Sequence, residues 1–288
     1  MALAEQPVFF PAGGVNLAGI LTLPETPSEW VVILPWGAGA FPSSARNRIR
    51  TRLARALAGD GFPSFRFDYS GVGESGGSYH TPTMSSPYTK EIVAACQWLR
   101  SEGFHRIVVV ANCFGAWSAL HAASFIEGLA GMVLVNCPVR RDHDEVRAAS
   151  RSWRWWWQHL KRFQWSKIFN PRRRALYRRL VKSRAKSLVG AGVRDGRYTA
   201  AIKKVLERGV PLQLMYGNDG FRPDFEAELT RGLSAYVQQG QRPSGYITVS
   251  ERVEGFASLA SQHLLVETVR AWVADFSQPP LGLVPEAS

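Results

Sequence analysis

The 288-residue chain is poor in several things, and each shortage excludes a class of protein. Three cysteines are too few, and odd in number, for a disulfide scaffold, so a reducing compartment, the cytoplasm, is expected. No stretch of 18 or more apolar residues occurs, and the first 30 residues have no basic segment ahead of an apolar run. Neither a transmembrane span nor a secretory signal peptide is therefore expected. Internal repeats and low-complexity tracts are absent outside one basic stretch. Acidic residues are scarce, 23 Asp plus Glu against 35 Lys plus Arg, giving a net charge of +12. Such a balance points to an acidic partner: nucleic acid, anionic lipid or an acidic protein. What remains, 45% hydrophobic residues, 20% charged and 11% aromatic, is globular composition and argues against disorder, collagen or a coiled coil.

The charge is not spread evenly. Residues 140–208 hold 21 Lys or Arg and 5 Asp or Glu, against 14 and 18 elsewhere, so the net charges are +16 and −4. The same insert carries five of the ten tryptophans: Trp153, Trp155, Trp156, Trp157 and Trp165. Basic stems covering apolar rings make a solvated surface lid. The same composition also fits an interfacial helix giving a peripheral membrane contact, or a docking surface for an acidic or phosphorylated carrier protein. Nucleic acid is disfavoured, because no recognition module of defined spacing is present.

On either side of the insert, short β-rich apolar runs alternate with helical periodicity. Strands are expected over 30–37, 62–71, 105–113, 131–138, 210–219 and 245–253, and helices over 45–61, 89–103, 114–126 and 258–276. This order reads as one α/β core, residues 1–139 and 209–278, with a mostly parallel sheet flanked by helices, a lid at 140–208 and a loose tail at 279–288. Right-handed crossovers would gather the loops after the strands around one crevice.

The most informative local pattern is VVVANCFGAWSAL: an apolar strand, a sharp turn at Asn112-Cys113-Phe114-Gly115, then a helix of small residues. It resembles the nucleophile elbow of the α/β-hydrolase superfamily, with Cys113 where G-x-S-x-G places its Ser and Ala111 for the first Gly. FRFDYSGVGESGG (65–77) is similar to the segment before the elbow in the serine-aminopeptidase-like branch, and PWGAG (35–39) occupies the oxyanion-loop position. The resemblance implies an α/β-hydrolase fold with a helical basic lid after the sixth strand. It implies an oxyanion hole from the N–H groups of Phe114 and Ala38, and an acid at Asp219 in YGND (216–219), with Asp224 as substitute. The remaining cysteines, Cys96 and Cys137, read as core residues.

The superfamily's histidine is missing. Its loop corresponds to RVEGFAS, where Glu254 stands in the His position. His263, His80 and His143 are the alternative bases; His105 and His121 read as structural. Loss of the His harms a Cys enzyme less than a Ser enzyme, because a thiol of pKa about 8.5 ionises near neutral pH whereas a hydroxyl needs a base. A helix N-terminus further favours the thiolate. A thiolate attacking a thioester expels another thiolate, so that step needs an oxyanion hole and little proton transfer. The pattern is similar to Cys-containing acyltransferases and thioesterases of this fold, which implies an acyl-thioester substrate on a phosphopantetheine carrier or coenzyme A. No metal or further cofactor is expected. Two readings stand beside it: an ester or lactone hydrolase, and a catalytically degenerate hydrolase whose lid binds membrane or protein.

Overall fold

A computed structural model describes residues 3–37, 44–80, 82–139 and 196–277. Its elements are β1 (Ala4–Ala12), β2 (Val15–Leu23), β3 (Trp30–Ile33), α1 (Ile49–Gly59), β4 (Ser64–Phe67), α2 (Thr89–Ser101), β5 (Arg106–Asn112) and α3 (Phe114–Ala122). They continue with β6 (Leu129–Val135), α4 (Arg197–Glu207), β7 (Leu212–Tyr216), α5 (Arg222–Thr230), β8 (Gly245–Thr248) and α6 (Leu259–Ser277). The strands form one eight-stranded sheet in the order β1-β2-β4-β3-β5-β6-β7-β8. β2 pairs antiparallel with both β1 and β4, and every other pair is parallel. This is the α/β-hydrolase fold expected from the sequence.

The interior strands β3, β5 and β6 are largely apolar because both faces are covered. Side chains alternate across the sheet, so Val32, Val108, Val110, Val133 and Val135 meet Leu53, Leu57, Leu265 and Val269 of α1 and α6 on one face. The intervening Val31, Ile33, Val109, Ala111, Met132 and Leu134 are equally buried and serve the face of α2 and α3. Burial of each such side chain contributes about 1.5–3 kcal/mol. In α1 the residues Ile49, Leu53, Leu57 and Ala58 form the buried stripe, while Arg52 and Arg55 point outward. Phe10, Phe65, Phe67 and Trp98 interlock where the β1-β2 hairpin meets α2, with ring centroids 5.0–6.0 Å apart.

Two compact units result, Met1–Val139 with Thr199–Ser288, and Arg140–Tyr198. Residues of α4 from Thr199 onward thus belong with the core, although charge alone assigns them to the insert. Ile202 and Val205 are buried, and the Thr199 hydroxyl donates to Glu228 at 2.7 Å, so the basic Lys203 and Lys204 lie on the outer side of a core helix. Residues 140–195 of the expected lid, and the tail from residue 278, lie outside the described residues. Among the described residues no helix is long and apolar enough to cross a membrane. None of the three cysteines is joined in a disulfide.

Candidate active site

β3, β4, β5, β6, β7 and β8 run parallel, so their carboxyl ends share one edge of the sheet, and the loops leaving that edge carry the candidate residues. Cys113 follows β5 directly and caps α3 with φ 54 and ψ −131. A side chain with a Cβ pays about 1–3 kcal/mol for such a backbone, and strain of this kind gathers at functional sites. The surroundings hold it in place. The Cys113 N–H donates to the Val135 carbonyl at 2.9 Å, and its own carbonyl accepts from Ala116 at 2.9 Å and Trp117 at 3.2 Å. The N–H groups of Phe114 and Gly115 therefore open α3 without an intrahelical acceptor, which favours negative charge there.

Gly115 explains the spacing of the motif. A Cβ on it would lie 2.8 Å from both the Pro35 carbonyl oxygen and the Trp36 nitrogen, so only glycine lets the segment after β3 touch the elbow. That segment is registered by the Asn112 N–H donating to the Pro35 carbonyl at 3.3 Å and the Gly37 N–H donating to the Asn112 carbonyl at 2.9 Å. Phe114, one expected oxyanion donor, is the first residue of α3. Ala38, the other, lies outside the described residues, as does His143.

Cys113 is half-buried, whereas Cys96 and Cys137 are buried. Burial pushes the Cys137 thiol well above its ordinary range, and the nearby Cys113 pushes it the same way. Burial alone raises Cys96. Burial therefore favours the neutral thiol at both positions.

Asp219 lies three residues beyond β7 and Glu254 opens the 3-10 turn Glu254–Phe256 after β8, so both stand on the same sheet edge as Cys113. The Asp219 Oδ2 accepts from the Asn136 side chain at 2.6 Å, and its buried Oδ1 has no partner among the described residues. The Glu254 turn is tied to the oxyanion side by packing: Phe256 is buried with its ring 5.7 Å from that of Trp36. Asn47, just ahead of α1, donates to the Phe256 carbonyl at 2.9 Å and reaches the Gly255 carbonyl at 3.4 Å. Gly217 lets β7 approach that loop, since a Cβ there would lie 2.7 Å from the Glu251 carbonyl oxygen.

The histidines are scattered. His263 is exposed on α6, and His80 is exposed with its ring 4.4 Å from Tyr88. His121 leans on Trp117 at 4.1 Å, and His105 is exposed at the opposite end of β5. Asp224 sits in the first turn of α5.

Sequence reasoning passed over a buried polar group at the carboxyl end of β4. Arg50 is 2% exposed, and its guanidinium donates to the Phe67 carbonyl at 2.8 Å. Burial lowers its pKa to about 10. Asp68, next along the chain, is pushed up to about 6, chiefly by burial, with Arg50 and then Arg66 pulling the other way. Tyr69, raised by burial, stacks on Tyr88 at 4.1 Å. The position of DYS at a strand's carboxyl end was the available signal. Asn136 and Asn47 were likewise missed. Among the described residues, no cluster of three or more His, Cys, Asp or Glu could hold a metal ion.

A strand, a strained turn and a helix in mid-sheet, with an acid two strands away and a further loop beyond it, define the α/β-hydrolase class. The chain belongs to the alpha/beta hydrolase family, whose model matches residues 31–278. Solved structures are similar along nearly its whole length. An esterase of Pyrococcus furiosus is 18% identical with a TM-score of 0.62, over 95% of this chain and 90% of that one. Dienelactone hydrolase from Anabaena variabilis is 13% identical at a TM-score of 0.59, over 96% and 99%. A Xanthomonas campestris protein described as an α/β serine hydrolase without a lid is 14% identical at 0.58, over 96% and 97%. At these identities the likeness is one of fold. No curated protein sequence matches.

Proposed function

We propose that this chain is an acyl-transfer enzyme in which Cys113 is the covalent nucleophile. The observation that carries the reading is the backbone of Cys113: a half-buried thiol held at φ 54 on the N-cap of a helix, where the fold presents a reacting atom. The thiolate attacks the carbonyl carbon of an acyl-thioester, a sulfur–carbon bond forms, and the bond to the departing thiolate breaks. The transient oxyanion is held by the Phe114 and Ala38 N–H groups. An acceptor hydroxyl, amine or thiol then attacks the acyl-Cys113, its proton passing to Glu254 or Asp219 and the Cys113 thiolate leaving. Glu254 in place of the family's His disfavours activation of water, which is why transfer leads over hydrolysis. The +16 insert suits an acidic carrier protein bearing the phosphopantetheine thioester, or coenzyme A.

Incubation with an acyl-thioester followed by intact-mass measurement tests this. The wild type should gain one acyl mass and Cys113→Ala none; no gain on wild type, or equal gain on both, overturns it. The esterase and dienelactone hydrolase among the similar folds favour a second reading, hydrolysis of esters or lactones. Turnover of simple esters above that of Cys113→Ser, with no stable adduct, selects it. Liposome co-sedimentation that falls steeply with salt, again with no adduct, selects instead a degenerate hydrolase bound peripherally to membrane.

A further inference from the structure

The turn that carries Asp219 is held from the neighbouring strand by Asn136, the residue directly after β6. Asn136 is 1% exposed and has φ 47, a left-handed backbone that asparagine tolerates better than most side chains. Its N–H donates to the Met215 carbonyl at 2.8 Å. Its Oδ1 accepts from the Gly217 N–H at 3.2 Å, and its Nδ2 donates to Asp219 Oδ2 at 2.6 Å. The two side-chain bonds fix the amide's orientation between them: a backbone N–H can only donate, so the oxygen must face Gly217 and the nitrogen must face the carboxylate.

We infer that Asn136 is a positioning residue for the reaction at Cys113, acting through Asp219. Bound at Oδ2, the carboxylate cannot rotate, and Oδ1, buried and without a partner among the described residues, is left as the acceptor for a donor in the reaction. A buried acceptor without a bond is costly in a purely structural site, whereas a reaction that delivers a proton or an N–H to it accounts for it. A glycine at 136 would suit the backbone but hold nothing, and a carboxylate there would meet Asp219 with like charge. The inference rests on Asp219 taking part in the acyl transfer proposed above.

The test is a kinetic double-mutant cycle on the full chain with an acyl-thioester substrate. Asn136→Gly, which keeps the backbone at ease, should lower kcat about 10- to 100-fold with KM nearly unchanged. In an Asp219→Ala background it should cost nothing further. Asn136→Asp should recover activity at low pH, where one carboxyl keeps a proton and donates it to the other, and lose it as that proton leaves; the wild type should not follow that profile. A kcat for Asn136→Gly within twofold of wild type, losses that multiply with Asp219→Ala, or no pH step in Asn136→Asp overturns the inference while leaving acyl transfer standing. A wild type that neither acylates nor turns over overturns both.

Discussion

Gly115→Ala tests the elbow most directly, because every atom its new Cβ would strike is backbone. Contacts of 2.8 Å to the Pro35 oxygen and Trp36 nitrogen and 2.9 Å to the Pro35 carbonyl carbon must open by about 0.5 Å, and no side chain can swing away to allow it. Overpacking of this kind costs about 1–3 kcal/mol, offset by at most about 1 kcal/mol for alanine over glycine in a helix, so a net loss of about 1–2 kcal/mol is expected. The displaced segment is Pro35 to Gly37, which leads into the oxyanion loop. A shift of that size should slow acylation of Cys113 about tenfold. Urea denaturation and the single-turnover rate of acyl-adduct formation measure the two effects. A variant as stable as wild type, acylating at the same rate, would show that the elbow and the oxyanion loop are not in hard contact and would refute the account of the motif.

Three further outcomes are expected. Cys113→Gly should be more stable than Cys113→Ala by about 1 kcal/mol in thermal denaturation, because glycine relieves the φ 54 backbone while both lose the thiol; the opposite order would mean that the elbow is unstrained. Asp68 holds its proton to about pH 6 in the fold, against 3.8 in the open chain. An acid raised in this way favours the folded state below its open-chain value and loses that advantage as pH climbs from 3.8 to about 6, so the wild type should weaken relative to Asp68→Asn by about 2–3 kcal/mol across the interval. Paired urea titrations at about pH 4 and 7 read this, and a pH-independent difference refutes it. Asn47→Ala should cost about 1 kcal/mol and slow acyl transfer out of Cys113 more than acylation, since it frees the turn that begins at Glu254; equal slowing of both steps would argue against a role for that turn in the second half-reaction.

Where a segment's own pattern decides its structure, the sequence was readable. The strand expected over 105–113 is Arg106–Asn112, the helix expected over 89–103 is Thr89–Ser101, and the turn between strand and helix at Cys113 has the backbone the motif requires. The strand expected over 30–37 ends its ladder at Ile33, because Pro35 has no N–H to continue it, although Trp36 bridges to Asn112. The β1-β2 hairpin went unread: Pro7 and Pro11 disguise β1, and they are tolerated because it is an edge strand. α5 was missed for want of a clear apolar stripe; its buried face rests on Phe225 and Glu228. The polar ties of the site were beyond reach for a different reason. Asn136 meets Asp219 across 83 residues and Asn47 meets Phe256 across 209, and no local pattern announces a contact that only the sheet order brings about. Asp219 was singled out from a motif, but Asn136, the side chain bonded to it, follows a different strand.

The way the elbow is bonded also sets it apart from the turn that begins at Glu254. β5 is interior to the sheet, and the turn after it is stitched on both sides, to Val135 through the Cys113 amide and to Pro35 and Gly37 through Asn112. Amides bonded within the interior of a sheet belong to the most protected class. The turn from Glu254 to Phe256 is held instead by the side chains of Asn47 and Gln262, bonds that a local fluctuation can break without disturbing the sheet. The Cys113 backbone is therefore anchored through main-chain bonds of the sheet, whereas the turn that begins at Glu254 is anchored through side chains, so the two segments proposed to act in successive half-reactions are held by bonds of different kinds.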